Sequence, residues 1–164
     1  MINPFDYDDG PALARAALSV SPAIAKAKAR IKSKGGACVY INDNFGLWQS
    51  DFRELVVRAK AGAGAEVADI LQPDSDDIFI LKPKHSGFFQ TPLPLLLEGL
   101  GCKRLVITGV AADACVVTTA LDAHMRDFEV FAPSNCIAST TKARKDAALM
   151  ILKHADVDTR AMTR

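Results

Sequence analysis

Residues 104–126 read RLVITGVAADACVVTTALDAHMR. The run Arg104–Thr108 is β-branched and apolar, Gly109 ends it, and small residues follow. A helical pattern then opens, with Cys115 in its first turn. A strand that is apolar on both faces and feeds straight into a helix is the unit of a parallel α/β sheet. Other segments repeat the unit. Ala37–Asn42, Asp77–Leu81 and Phe128–Phe131 read as strands, and a short last strand is expected over Asp158–Met162. Leu13, Ala17, Val20, Ile24, Ala27 and Ile31 form one helical stripe, with a break expected at Pro22. In that reading Ser21 caps a second helix, which Gly35 and Gly36 end. Further helices are expected over Phe52–Lys60 behind Asp51 or Ser50, from Thr91 to Gly99 or Gly101, over Asp113–Arg126, and over Thr141–Lys153. Residues 62–76 read as a surface loop. Alternating strands and helices predict an α/β fold with a mainly parallel sheet and right-handed crossovers. A single domain is expected over residues 1–164.

Composition narrows the function. At 49% hydrophobic and 24% charged, with a net charge of +1, the chain has the balance of a folded domain. No basic run points to nucleic acid, and no apolar stretch reaches membrane-spanning length. The N-terminus carries no secretory pattern, so a cytoplasmic protein is expected. Cys38, Cys102, Cys115 and Cys136 are widely spaced and form no CxxC pair, which argues against a zinc cage. No GxGxxG follows a strand, which argues against a dinucleotide site.

In open parallel sheets ligands bind beyond the carboxyl ends of the strands. That rule selects Asp43, Lys82, the turn 109–115 and residues 133–135. Cys115 is the sharpest of these. The start of a helix presents free N–H groups and a partial positive charge, which favour thiolate and can hold an oxyanion. The alternative is a small cysteine that merely packs. Lys82 ends an apolar strand, so its stem is buried and its ammonium faces the crevice. His85 is either a base or a surface residue. Phe88 either walls a pocket or packs in the core. Asn42, Asp43, Asn44 and Trp48 either line a substrate pocket or form a hydrogen-bonded loop.

The order and spacing of Lys82, Phe88, Thr91 and Leu93, then Gly109–Val116, then Thr119, Ala120, Asp122 and Ala123, resemble the isochorismatase-like cysteine hydrolases. The resemblance covers most of the chain. It implies a three-layer α/β/α sandwich around a six-stranded parallel sheet. It also implies an Asp-Lys-Cys triad, with Cys115 as nucleophile and Lys82 as its lysine. The Val110–Ala111 bond would be a cis peptide, and the N–H groups of Ala111 and Cys115 an oxyanion hole. Members include nicotinamidases, N-carbamoyl amide hydrolases and isochorismatases, and they commonly form homo-oligomers. By the same alignment the triad aspartate and the N-terminal strand carrying it stand before Met1 and are missing from residues 1–164. Either the natural chain begins upstream, or this is a shortened paralogue, impaired in activity or serving in binding or assembly. Asp43 matches a metal-binding aspartate of the nicotinamidases, but Phe45 stands where a histidine ligand would be. No metal and no cofactor is therefore expected. The expected function is hydrolysis of a small amide, N-carbamoyl or related C–N substrate through an acyl-thioenzyme.

Overall fold

In the computed structural model, which describes residues 1–48 and 51–163, short parallel strands alternate with helices. The strands are β1 (Val39–Asp43), β2 (Ile78–Lys82), β3 (Arg104–Val106), β4 (Gly109–Val110), β5 (Glu129–Phe131) and β6 (Ile137–Ala138). The helices are α1 (Gly10–Lys32), α2 (Phe52–Lys60), α3 (Ala65–Ile70), α4 (Leu93–Gly99), α5 (Val117–His124) and α6 (Lys142–His154). All three strand pairs, β1 with β2, β3 with β5 and β4 with β6, are parallel. Asp43 lies opposite Lys82 in the first of them, so two site candidates end neighbouring strands.

Apolar side chains cover both faces of these strands, as a parallel sheet requires. On one face α1 and α3 bury Leu13, Ala17, Val20, Ile24, Ala27 and Val67 against Cys136 and Ala138. On the other, Leu93 and Leu97 of α4, Ala120 and Ala123 of α5, and Ala148 and Leu152 of α6 pack with Ile80, Val130 and Ile137. The result is the three-layer α/β/α sandwich.

Three local expectations are corrected. First, α1 runs through Pro22 without a break. Proline removes one N–H and strains a helix interior by about 3 kcal/mol. Here it sits on the solvent side, while the buried stripe continues from Val20 to Ile24 across it. Ser21 is no cap; its hydroxyl donates to the Ala17 carbonyl at 2.8 Å. Burial of one continuous face outweighs the local penalty. Second, residues 62–76 are not a bare loop. They contain α3, whose Val67 and Ala68 are buried, followed by buried Leu71. Third, the last segment contributes a single parallel bridge, Phe131 with Asp158, while β6 forms at residues 137–138, where no strand was expected. Asp51 caps α2, while Ser50, the other residue read for that place, lies outside the described residues; Thr141 caps α6.

Among the described residues β1 and β3 do not pair with each other. Between them lies a cavity of about 730 Å³. Residues 104–108 line it in unbroken succession, together with Val39 and Ile41. Successive side chains of a strand point to opposite faces. An unbroken lining therefore means that the cavity runs along the strand edge, from Gly36 and Cys102 at the amino ends to Asp43 and Cys115 at the carboxyl ends.

The N-terminal segment closes one side of this space. The buried Asn42 amide of β1 donates to the Ile2 carbonyl at 2.7 Å. A Cβ at Gly64 would stand 1.9 Å from the Asn3 carbonyl oxygen, and one at Gly62 would stand 2.8 Å from that of Pro4. These glycines exist for close backbone approach and not for a phosphate. Gly64→Ala is expected to cost about 1–3 kcal/mol by overpacking. Gly99→Ala, where a Cβ meets nothing within 4 Å, is expected to change stability by less than about 1 kcal/mol. Urea unfolding of the two variants checks the contrast.

Candidate active site

Gly109 opens β4 with φ of 116°, and the Val110–Ala111 peptide at the end of that strand is cis. The chain then enters a π-helical turn, Ala112–Val116, before α5 begins at Val117. Cys115 thus lies in a wide turn ahead of the α-helix, and not in the first turn of a helix beginning at Asp113. The Ala111 carbonyl accepts from the N–H groups of Ala114 and Val116, both at 3.1 Å. This pins the turn.

Lys82 faces it from the end of β2. The residue is only 4% exposed. Its ammonium donates to Cys115 Sγ at 3.3 Å, to Asp43 Oδ2 at 3.2 Å and to the Lys84 carbonyl at 2.9 Å. An ammonium has three protons to give, and all three are engaged. Asp43 is equally committed: its second oxygen accepts the Phe45 N–H at 2.8 Å. His85 Nδ1 stands 3.9 Å from Cys115 Sγ. Asp43, Phe45, Lys82, His85, Phe88 and Cys115 all line the 730 Å³ cavity. Val110 and Ala111 line it as well.

The other thiols are unlike Cys115. Burial, with Asp77 alongside, pushes the Cys38 thiol up to about 11. Burial also raises Cys136. Cys102 donates to the Arg104 carbonyl at 3.2 Å.

Two pocket candidates fall elsewhere. Asn44 is buried, but it faces a separate small cavity with Leu47, Leu55 and Leu81. Its side chain accepts the Gly46 N–H and its own N–H donates to the Lys82 carbonyl, so its polar groups shape the turn after β1. Trp48 is 77% exposed and does not line the main cavity. The turn carries both residues away from the crevice. Phe88 has a double part: it lines the cavity and also sits in the core, 6.1 Å from the Phe128 ring. Sequence reasoning did not place Asn3, Tyr7 or Thr119 in the pocket, and all three line it. Nothing in the local pattern of residues 1–9 signals that Asn3 and Tyr7 return to this cavity.

Phe45 offers a divalent ion no donor, and the Asp43 carboxylate is shared by Lys82 and a backbone N–H. Among the described residues the carboxylates that cluster closely are Asp74, Asp76 and Asp77, and Lys28 and Lys32 pair with them.

A three-layer parallel sandwich with Asp43, Lys82 and Cys115 gathered at the carboxyl ends of its strands belongs to the class of open α/β folds, in which ligands bind at that edge. Within that class the chain belongs to the isochorismatase family, since the Isochorismatase domain matches residues 5–162. The uncharacterized isochorismatase family protein YaaI of Bacillus subtilis is 34% identical over 154 residues, which cover 94% of this chain and 85% of that protein. An isochorismatase family protein from Desulfovibrio vulgaris shares the fold with a TM-score of 0.78 at 20% identity, over 97% of this chain and 88% of the other. N-carbamoylsarcosine amidase from Thermoplasma acidophilum does so with a TM-score of 0.67 at 23% identity, over 88% and 83%. The protein is thus a hydrolase of this family.

Asp113 fixes the turn from the side opposite the cavity. Its carboxylate accepts from Ser139 Oγ and from Arg144 Nε, both at 2.6 Å. Desolvation opposes its ionisation, but these two bonds outweigh it and hold the carboxyl below the usual carboxylate range. Its contribution is therefore complete above the unfolded value of about 4 and is lost as pH falls through the lower folded value. Asp113→Asn is expected to lower stability at pH 7 by about 1.5–3 kcal/mol. The difference from the parent should shrink toward pH 3, as urea midpoints across that range will show.

Proposed function

We propose that the protein hydrolyses a small amide, an N-carbamoyl compound or a related C–N bond, with Cys115 as nucleophile. The carrying observation is the buried Lys82 ammonium 3.3 Å from Cys115 Sγ at the mouth of a strand-end cavity. Thiolate, not thiol, is the attacking form, and a neighbouring lysine favours it. The cavity suits a small substrate, with the apolar Phe45 and Phe88 beside Asn3 and Tyr7. The amidase named above supports the choice of a C–N bond.

In this reading the sulfur attacks the carbonyl carbon, and the N–H groups of Ala111 and Cys115 hold the resulting oxyanion. Collapse expels the amine and leaves an acyl-thioenzyme, which water cleaves to the acid. Lys82 steadies the charge on the sulfur, and Asp43 and the Lys84 carbonyl hold its ammonium in place. Asp43 acts through Lys82 as a positioning residue.

Cys115→Ala is expected to abolish turnover of whichever member of a panel of small amides, N-carbamoyl amino acids and nicotinamide the parent cleaves. Intact-mass measurement should find the acyl adduct on the parent and not on the variant. Hydrolysis retained in Cys115→Ala would end the assignment.

A further inference from the structure

After β1 the chain reverses through a tight turn, Asn44–Leu47, closed by the Leu47 N–H donating to the Asn44 carbonyl at 2.8 Å. Its two central residues, Phe45 and Gly46, have φ of 49° and 76°. Two successive positive φ values mark a type I′ turn, whose first central position favours asparagine, aspartate or glycine. Gly46 obeys the turn's demand and Phe45 does not. A bulky side chain in the left-handed region crowds its Cβ against the following carbonyl.

Packing does not account for the exception. Phe5 also has positive φ, but it is 2% exposed and sits in the core with Leu13 and Val67, which offsets its strain. Gln90, Asp127 and Asp156 share the conformation and are polar. Phe45 is aromatic, 39% exposed, and lines the cavity. Its own backbone ties it to the chemistry. The Phe45 N–H donates to Asp43 Oδ1 at 2.8 Å, Asp43 Oδ2 accepts from Lys82 at 3.2 Å, and Lys82 donates to Cys115 Sγ at 3.3 Å. Three successive hydrogen bonds thus connect the strained residue to the sulfur. Strain that burial does not offset is kept where a site uses it.

We propose that Phe45 is a specificity-determining residue: its ring is the apolar wall against which the acyl group of the substrate lies. The proposal rests on the Cys115 reading and names the substrate class of that site, acyl compounds whose acyl part is flat and apolar. The acyl part is what the wall must hold, because it stays on Cys115 after the amine has left. A flat group covers the exposed ring face and gains an offset-stacked contact that an acetyl group is too small to make. The turn presents the ring at the price of its own preferred residue.

The test compares p-nitrophenyl benzoate with p-nitrophenyl acetate, which share a leaving group and differ only in the acyl part. Each kcat/KM is divided by the spontaneous hydrolysis rate of its ester. The parent should then favour benzoate. In Phe45→Asn, which suits the turn and removes the ring, that preference should fall by about 10–100-fold, mostly through KM. Phe45→Tyr should keep it within threefold. The urea midpoint of Phe45→Asn should equal or exceed the parent's, since asparagine relieves the turn. An unchanged benzoate preference in Phe45→Asn would overturn the proposal. So would a preference lost together with a lower urea midpoint, which would make Phe45 a packing residue. A parent in which intact mass finds no acyl adduct on Cys115 with either ester would overturn the nucleophile itself, and the acyl wall with it.

Discussion

A positive charge buried at the end of a strand constrains this site more than any other feature. Removing an ammonium from water costs several kcal/mol even after relaxation, and the cost is met only where its protons find acceptors. Lys82 finds three: a carboxylate from the next strand, a carbonyl from its own loop, and a sulfur from across the crevice. Removing any one leaves a buried donor unmet. The lysine therefore dictates where Asp43 ends β1, how the chain turns after Pro83, and how near Cys115 must come. The surrounding geometry answers to that one group.

Parallel pairing makes such a convergence possible. Because β1 and β2 run the same way, Asp43 and Lys82 stand side by side at the same edge of the sheet. The β4 strand delivers the cysteine turn to that edge, and α5 holds the return loop there through Thr119 and Asp122. Helix α6 does the same from behind through Arg144 and Asp113. Each contact joins segments roughly 30 or more residues apart in the chain. The site is therefore a product of the whole sandwich.

What was legible in the sequence follows from this division. The strands around Ile41, Ile80 and Leu105 could be read because each is a short apolar run rich in β-branched residues. The turn at 109–116 could be read because glycine and small residues there have no other simple use. Lys82 stood out as a charge directly after an apolar run. The misread places are those where tertiary packing overrides a local rule. Pro22 looks like a helix break until its ring is known to face solvent. Residues 65–70 look like a loop because alanine and glycine mask a helix whose burial is set by α1 and by the N-terminal segment. Asn44 and Trp48 follow a strand end, as the crevice rule asks, yet the turn at Phe45 and Gly46, both of positive φ, sends them away from it. The π-helical register at Cys115 left no trace in the periodicity, since five residues are too few to show a period.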